Sequence, residues 1–489
     1  MKDETISSFI HLGSRFCQGD PIVGLRIVLA LLCAAFCNSL VHAGPAKKLN
    51  IIVITTDDQA RWSLGCYGNK EAKTPHMDRL AKSGARFLNA FVATPVCSPS
   101  RGSMLTGRYG TQLKITDWIT PKEADGGLGL PKEAITWMSV LQRAGWRTGL
   151  IGKWHLGMLP QFHPIRKGFD QFTGFLGGGN TPLNPTLEID GKEQKVKGPL
   201  ADILTDHAID FVRKNKDRPF ALMLNFRDPH APYAPTAAVD AEPFKNLDPT
   251  IPDFPNLKVK QVKKLTREYY ASVHSVDRNL GRLLELLDQL GLTENTIIIF
   301  TSDHGYMIGH HGLIHKGNAA WITEGREKER RPNLFDHALQ VPLIIRWPSV
   351  VKAGTDVKEM VSNIDTFPSV LGMLKVDRPR EYKQEGMDFS PLLRKGGEDT
   401  SWRNAVFAQY DPHNGLDANM RSIRTERWHL VRQYKKNGQP DELFDLKNDP
   451  EELRNLYGDV NHRSLRDDLQ RRLTEWMTSV EDPLIRKGE

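Results

Sequence analysis

Asn50-Ile51-Ile52-Val53-Ile54-Thr55 is a continuous apolar run, and two carboxylates, Asp57 and Asp58, come directly after it. A run of this kind is typical of a strand that is buried on both faces of a sheet. A second run, Thr296-Ile-Ile-Ile-Phe300, ends in the same manner at Asp303-His304-Gly305. We interpret both runs as buried strands that end in polar residues.

Strands and helices alternate along most of the chain. Apolar runs predict three further strands, at 148–152, 220–225 and 341–346. Helical periodicity is found at 77–83, 138–144, 200–214 and 269–290. This alternation predicts an α/β fold with a large, mostly parallel sheet sandwiched by helices.

The C-terminal part differs in texture, because Pro and charged residues increase after about Asp365. Two β-like stretches, Trp428–Tyr434 and Glu442–Leu446, flank Asn437-Gly438, which is a hairpin signal. An amphipathic helix is predicted over Arg463–Ser479. We therefore expect a catalytic domain over residues 44–375 and a smaller antiparallel-sheet-plus-helix subdomain over residues 376–489.

The bulk composition limits the classes of partner. The chain has 489 residues, 39% apolar and 26% charged, which indicates a folded protein. Its formal net charge of +7 suits a polyanion such as nucleic acid, anionic lipid or sulfated polysaccharide, and equally a basic surface without a specific partner. No Lys/Arg run with interleaved aromatic residues occurs, so we expect no nucleic-acid partner.

The N-terminal segment has the order of a secretory signal peptide. Arg26 precedes an apolar run over Ile27–Phe36, and a more polar stretch then ends at Ala43. The run is short for a transmembrane helix. We expect residues 1–43 to be a leader, and the protein to be exported to the periplasm or the extracellular space without stable membrane insertion.

The acidic strand ends are candidate metal ligands. Ligand sites in open α/β sheets gather beyond the carboxyl ends of the strands, where Asp57, Asp58, Asp303 and His304 are predicted to lie. Converging carboxylates favour a hard cation, Ca²⁺ or Mg²⁺. The alternative is that Asp57-Asp58 caps a helix and Asp303-His304-Gly305 forms a turn.

A reactive cysteine is predicted in the segment Pro95-Val-Cys97-Ser-Pro99-Ser-Arg101-Gly-Ser-Met-Leu-Thr-Gly107. Pro99 suits the first turn of a helix, so Cys97 is placed at a helix N-terminus, where amides and the dipole favour an anion. A thiol there has a lowered pKa, and Arg101 follows one turn later. An ordinary cysteine nucleophile and a disulfide to Cys66 are the alternatives.

The segment from Cys97 to Gly107 resembles the first signature of the formylglycine-dependent sulfatases, which have an alkaline-phosphatase-like fold. Gly145-Trp-Arg-Thr-Gly-Leu-Ile-Gly-Lys153-Trp-His155 resembles their second signature. The resemblance implies that a modifying machinery binds the chain transiently, reads Cys97, Pro99 and Arg101, and oxidises Cys97 to formylglycine. One hydroxyl of the hydrated aldehyde then attacks sulfur, and the other allows sulfate to be expelled.

The resemblance also implies a role for each site residue. Arg101 and Lys153 would hold the diol, and His155 would be the base that collapses the intermediate. His230 would lie near the leaving oxygen, and Lys316 would grip sulfate. The implied metal ligands are Asp57, Asp58, Cys97, Asp303 and His304. Many members of the family have Asn at the position of His304. The implied metal is Ca²⁺, with Mg²⁺ as the alternative.

The expected substrate is a sulfated small molecule or glycan, with a carbohydrate sulfate preferred because of the leader and the basic charge. A phosphonate monoester or phosphodiester hydrolase on the same fold is the second hypothesis, and a non-catalytic binder of sulfated glycans is the third. The charged segment 317–332 is predicted to be a loop and is a candidate for substrate selection. His311 and His315 are weaker candidates for the pocket wall.

Overall fold

The computed structural model describes residues 48–394, 401–435 and 438–485. The predicted leader at residues 1–43 and Asn437 of the predicted hairpin lie outside these residues. No helix in the described ranges is both long and apolar enough to cross a membrane.

The described residues contain strands in three sheets. Their bounds are β1 Asn50–Thr56, β2 Ala85–Phe91, β3 Arg147–Lys153, β4 Gln171–Phe175, β5 Thr186–Ile189, β6 Lys192–Lys195, β7 Phe220–Asn225, β8 Thr296–Ser302, β9 Met307–Ile308, β10 Leu313–His315, β11 Asn318–Trp321, β12 Arg330–Pro332, β13 Leu343–Arg346, β14 Thr355–Ser362, β15 Ala405–Tyr410, β16 Met420–Thr425, β17 Trp428–Gln433 and β18 Glu442–Asp445.

The main sheet has ten strands in the order β14-β2-β13-β8-β1-β7-β3-β4-β5-β6. Its centre, from β8 through β1, β7 and β3 to β4, is parallel. The predicted fold class is therefore confirmed. The sheet is mixed because β13, one of the predicted strands, runs antiparallel to both of its neighbours, and because β5 pairs antiparallel with β4 and with β6.

The predicted helices are all present, and the structure adds several short ones. The helices of the described residues are α1 Pro75–Ser83, α2 Cys97–Thr106, α3 Gly110–Leu113, α4 Pro121–Asp125, α5 Trp137–Arg143, α6 Leu200–Asn215, α7 Ala238–Ala241, α8 Val259–Gln289, α9 Asp336–Leu339, α10 Thr366–Leu374, α11 Ser390–Arg394 and α12 Arg463–Ser479. Helix α8 begins ten residues before its predicted start, in a Lys-rich segment where apolar periodicity is weak.

Strand β1 is buried on both faces, as its sequence predicts. Ile51 and Val53 pack into a core with residues of α2, α5 and α10 on one side of the sheet. Ile52 and Ile54 pack into a second core with residues of α6 and α8 on the other side. This two-sided packing explains the unbroken apolar run, since neither face of the strand meets water.

Two smaller sheets are antiparallel. Strands β15 to β18 form one of them, and α12 packs against β16 and β17 in a core of its own. Strands β9 to β12 form the other, so segment 317–332 is not the plain loop that its charge predicts: its ends form a β11–β12 hairpin. Residues Leu49–Glu489 form one compact unit, and the division at residue 376 stays a prediction.

One buried arginine joins the C-terminal sheet to the end of the chain. Arg421 on β16 is fully buried, and its guanidinium contacts Asp411 and Asp482 at 2.6 Å each. Asp482 lies just beyond α12 and is equally buried. The arginine therefore pairs with a fully buried carboxylate, Asp482, that would otherwise be desolvated without a charged partner, and with the partly buried Asp411.

We predict that Arg421→Met lowers the free energy of unfolding by about 3–5 kcal/mol, because it leaves buried charges unpaired. Urea unfolding followed by circular dichroism measures this. Arg427→Met, which removes a half-exposed arginine that lies between β16 and β17 and pairs with Asp445, is the matched control and should change little. Equal losses in the two variants would contradict this interpretation.

Candidate functional site

The site begins at the carboxyl ends of β1 and β8. Their parallel register places Thr56 opposite Ser302, so Asp57 and Asp303 follow side by side. The backbone N–H of Asp303 donates to the Thr56 carbonyl at 3.0 Å, and the N–H of Asp58 donates to Asp303 Oδ1 at 3.2 Å. The three carboxylates converge as predicted, and all are buried.

Cys97 lies next to these carboxylates. It is the first residue of α2, as predicted, and it is only 3% exposed. Its Sγ lies 3.7 Å from Asp57 Oδ1, 3.5 Å from His304 Nε2 and 3.3 Å from Lys316 Nζ. The alternative of a disulfide is wrong, since Cys66 and Cys97 are both free thiols.

Three buried cations pair with the three carboxylates. Lys153 Nζ lies 2.5 Å from Asp57 Oδ2, and Lys316 Nζ lies 2.6 Å from Asp58 Oδ1. Arg101 Nη2 lies 2.9 Å from Asp303 Oδ2 and 3.7 Å from Asp57 Oδ2. The three predicted cationic residues, Arg101, Lys153 and Lys316, thus lie in one cluster with the acidic residues.

The cluster has the donor atoms for a divalent cation. Ligand atoms of Asp57, Cys97, Asp303 and His304 all lie within 4.8 Å of one another. His304 Nδ1 lies 3.0 Å from the Gly305 carbonyl, which can only accept, so Nδ1 carries a proton and Nε2 faces the cluster. Three converging carboxylates suit Ca²⁺ or Mg²⁺, so the residues fit such an ion.

The charges shift several pKa values. Burial alone would raise the pKa of Asp57, but Lys153, His230, Arg101 and Lys316 bring it well below its usual value. Burial would also raise the pKa of the Cys97 thiol, and Lys153 and Lys316 lower it to about 6. The thiol is therefore mostly a thiolate at neutral pH, as expected for a reactive cysteine.

His155 and His230 complete the predicted set. Burial, followed by the charge of Lys153, lowers the pKa of His155 to about 3, so its imidazole is neutral. Its Nε2 lies 3.0 Å from the Ile119 carbonyl and therefore carries the proton, which leaves Nδ1 as an acceptor without a partner among the described residues. His230 Nε2 lies 3.7 Å from Asp58 Oδ2.

A cavity of about 390 Å³ opens onto this cluster. Cys97, Lys316 and His155 line it, together with Trp118. Sequence reasoning missed several lining residues because they come from loops and from the start of α4, which have no motif of their own. These are Trp118, Ile119, Pro121, Gly178, Gly179 and Ala231, whereas Asn318 and Arg330 belong to segment 317–332, the predicted candidate for substrate selection.

The weaker histidine candidates separate in the structure. His315 lines the cavity, whereas His311 stacks on Phe335 with ring centroids 3.8 Å apart and does not line it. The backbone of His315, with φ 85°, is in the left-handed region, as are Asp58 at 67° and His155 at 59°. Such conformations cost about 1–3 kcal/mol each and recur at active sites, although they also occur elsewhere in this chain, for example at Lys114 and Asn184.

Comparison with known proteins agrees with this geometry. Residues 49–376 match the sulfatase family, and residues 329–479 match the C-terminal domain of N-sulphoglucosamine sulphohydrolase. An N-acetylglucosamine-6-O-sulfatase of Bacteroides thetaiotaomicron is 27% identical, with 94% of this chain and 91% of the relative covered. An ulvan-active sulfatase of Formosa agariphila is 30% identical, with 94% and 87% covered.

A solved structure is similar over nearly the whole fold. BT4656, in complex with its substrate D-glucosamine-2-N,6-O-disulfate, superposes with a TM-score of 0.78 and 26% identity, and 89% of this chain and 99% of that chain are covered. The chain therefore belongs to the type I sulfatase family of the alkaline-phosphatase-like superfamily. It is a sulfuric ester hydrolase.

We predict that Lys153→Met and Lys316→Met each raise the pKa of the Cys97 thiol above its value of about 6, because each removes a neighbouring positive charge. The measurement is the ultraviolet thiolate absorbance of chelator-treated protein made in a host that leaves Cys97 unmodified. Cys66→Ala serves as the common background, since it removes the only other thiol between residues 48 and 394. An unchanged thiol pKa in both lysine variants would contradict the assigned cause.

Proposed function

We propose that this sulfatase hydrolyses carbohydrate sulfates with a formylglycine made from Cys97 and a bound divalent cation, Ca²⁺ in preference to Mg²⁺. The observation that carries the proposal is the position of Cys97, which lines the cavity beside the carboxylate of Asp57 and the ammonium groups of Lys153 and Lys316. Relatives named for N-acetylglucosamine 6-sulfate and ulvan support a carbohydrate substrate.

The charge of the cluster supports a bound cation together with an anionic substrate. Asp57, Asp58 and Asp303 carry three negative charges when ionised, and Arg101, Lys153 and Lys316 carry three positive ones, so the side chains balance each other. A divalent cation adds two positive charges. A sulfate ester carries one negative charge, and an ionised nucleophile supplies the second, so the loaded site is neutral again.

The hydrated formylglycine supplies a two-hydroxyl nucleophile, and the metal supplies Lewis acidity, when both are present. The protein's own residues orient the reactants. Arg101 and Lys153, which bind Asp303 and Asp57, hold the position of residue 97 against the carboxylates. Lys316 lies beside both Asp58 and residue 97, where its ammonium neutralises sulfate charge and can supply a proton to the leaving oxygen.

Proton removal falls to His155. The Nε2–H bond to the Ile119 carbonyl fixes the ring, and the neutral imidazole keeps Nδ1 free to accept a proton. Gly178 packs directly on this ring: a Cβ added there would lie 2.5 Å from His155 Nε2. His230 lines the cavity beside Asp58, where it contacts the leaving-group side of the substrate.

In this proposal, Cys97 is modified before the protein folds. Every residue of α2, from Cys97 to Thr106, is buried, including Pro99 and Arg101. An enzyme that reads these side chains cannot reach them in the folded protein. We therefore infer that a formylglycine-generating machinery acts on the extended chain, which agrees with export of an unfolded precursor to the periplasm or outside the cell.

The experiment is release of inorganic sulfate from sulfated sugars, together with turnover of a matched aryl sulfate and aryl phosphonate. We expect the parent protein to prefer the sulfate, and Cys97→Ala to lower kcat/KM by at least about 10³-fold, as loss of a nucleophile does. Chelation should abolish turnover, and Ca²⁺ should restore more of it than Mg²⁺ does.

Cys66→Ala is the control, because Cys66 is a free thiol that does not line the cavity. Its turnover should match that of the parent. Faster cleavage of the phosphonate would favour a phosphonate monoester or phosphodiester hydrolase. Binding of sulfated sugars without any turnover, and unaffected by Cys97→Ala, would favour a non-catalytic glycan binder.

A further inference from the structure

The arginines of the β11–β12 hairpin differ in how they are paired. Arg326 contacts Glu329 at 2.7 Å and covers the ring of Trp321 at 3.4 Å from its centroid. Arg331 pairs with Glu442 of the C-terminal sheet. Both of these guanidinium groups are committed to neighbours within the protein.

Arg330, between them, has no such partner. Within the described ranges its side chain has no hydrogen bond, ion pair or ring contact. It lies on β12, the edge strand of its sheet, opposite Ala320 of β11. It is exposed, and its guanidinium lies against the loop after β15, since a Cβ added at Gly415 would be 3.7 Å from Nη1.

The cavity that Arg330 lines contains no free acid of the protein. Asp58 is the only carboxylate among its lining residues, and Lys316 already binds it. Glu327, an acidic residue of the same hairpin, lines a different cavity of about 580 Å³. Its carboxylate pairs with Lys258. An unpaired guanidinium in such a wall favours an anion brought by a ligand.

We propose that Arg330 binds a second anionic group of the substrate, a sulfate or a carboxylate on the sugar whose other sulfate is cleaved. This inference rests on the proposed function. Lys316 and Arg330 line one cavity, with His315 and Asn318 beside them, so one sugar residue or disaccharide can meet both. The planar fork of Arg330 matches either oxyanion, and Trp118 on the same cavity wall offers a face for the ring.

The test is isothermal titration calorimetry on Ca²⁺-loaded protein in a Cys97→Ala background, which prevents turnover. The probes are N-acetylglucosamine 6-sulfate, D-glucosamine-2-N,6-O-disulfate, and a disaccharide of N-acetylglucosamine 6-sulfate with a uronic acid. We expect at least one doubly anionic probe to bind about tenfold or more tightly than the first, as one charge-assisted pair allows. The doubly anionic probe that binds more tightly than N-acetylglucosamine 6-sulfate shows whether Arg330 recognises a sulfate or a carboxylate.

Arg330→Ala should remove this preference while leaving binding of the single-sulfate sugar within about twofold. Arg330→Lys should keep part of it, because lysine retains the charge without the fork. Arg326→Ala is the matched control, since it removes the same charge from the same hairpin outside the cavity, and it should keep the full preference. Thermal unfolding checks that every variant is folded.

Equal affinities for the three probes, binding of none of them, or a preference that survives Arg330→Ala would each overturn the assignment. Failure of the proposed function would look different, because it concerns turnover by the parent protein. A parent that hydrolyses no sulfate ester, combined with an anion preference that depends on Arg330, would contradict catalysis and leave the second anion site intact.

Discussion

Three carboxylates and three cations share one buried region, and neither set is tolerable there without the other. Removing one partner from such a cluster leaves a desolvated charge, which costs several kcal/mol. Lys153, Lys316 and Arg101 are each within about one hydrogen-bond length of Asp57, Asp58 or Asp303. The positive charges of Lys153 and Lys316 also lower the pKa of the Cys97 thiol.

The fold holds these charged groups at fixed distances from one another. Strands β1 and β8 are rigid because both faces are packed, and their in-phase parallel pairing brings Asp57 and Asp303 together. Strand β3, which lies two strands away from β1 in the same sheet, ends at Lys153. Helix α2 then presents residue 97 with its N-terminal amides toward the anionic side, so sheet and helix supply complementary charges.

The sequence predicts the parts of this arrangement that rest on long, regular patterns. The strands β1, β3, β7 and β8 follow from unbroken apolar runs, and the start of α2 follows from Cys97 and Pro99. The ten site residues named from the strand ends, the two signatures and the shorter matches at His230 and Lys316 all fall in or beside one cluster. Their catalytic roles stay predictions until turnover is measured.

The parts that could not be predicted rest on short or non-local features. Strands β9 to β12 have two to four residues each, too few for a period to emerge, so the hairpin in segment 317–332 reads as a charged loop. The cavity wall joins Trp118 to Arg330 across more than two hundred positions of the chain. No local pattern marks Trp118, and the charge of segment 317–332 marks the region of Arg330 without showing that both residues line one cavity, because their meeting depends on tertiary packing.

In the proposed function, Cys97 is the precursor of the nucleophile and not itself the nucleophile. The most direct measurement is the mass of the proteolytic peptide that contains Cys97, from protein made in a host able to modify it. A mass that matches the aldehyde or its hydrate in place of the thiol is the predicted result. An intact thiol in catalytically active protein would contradict the account, because the unmodified cysteine would then be sufficient for turnover.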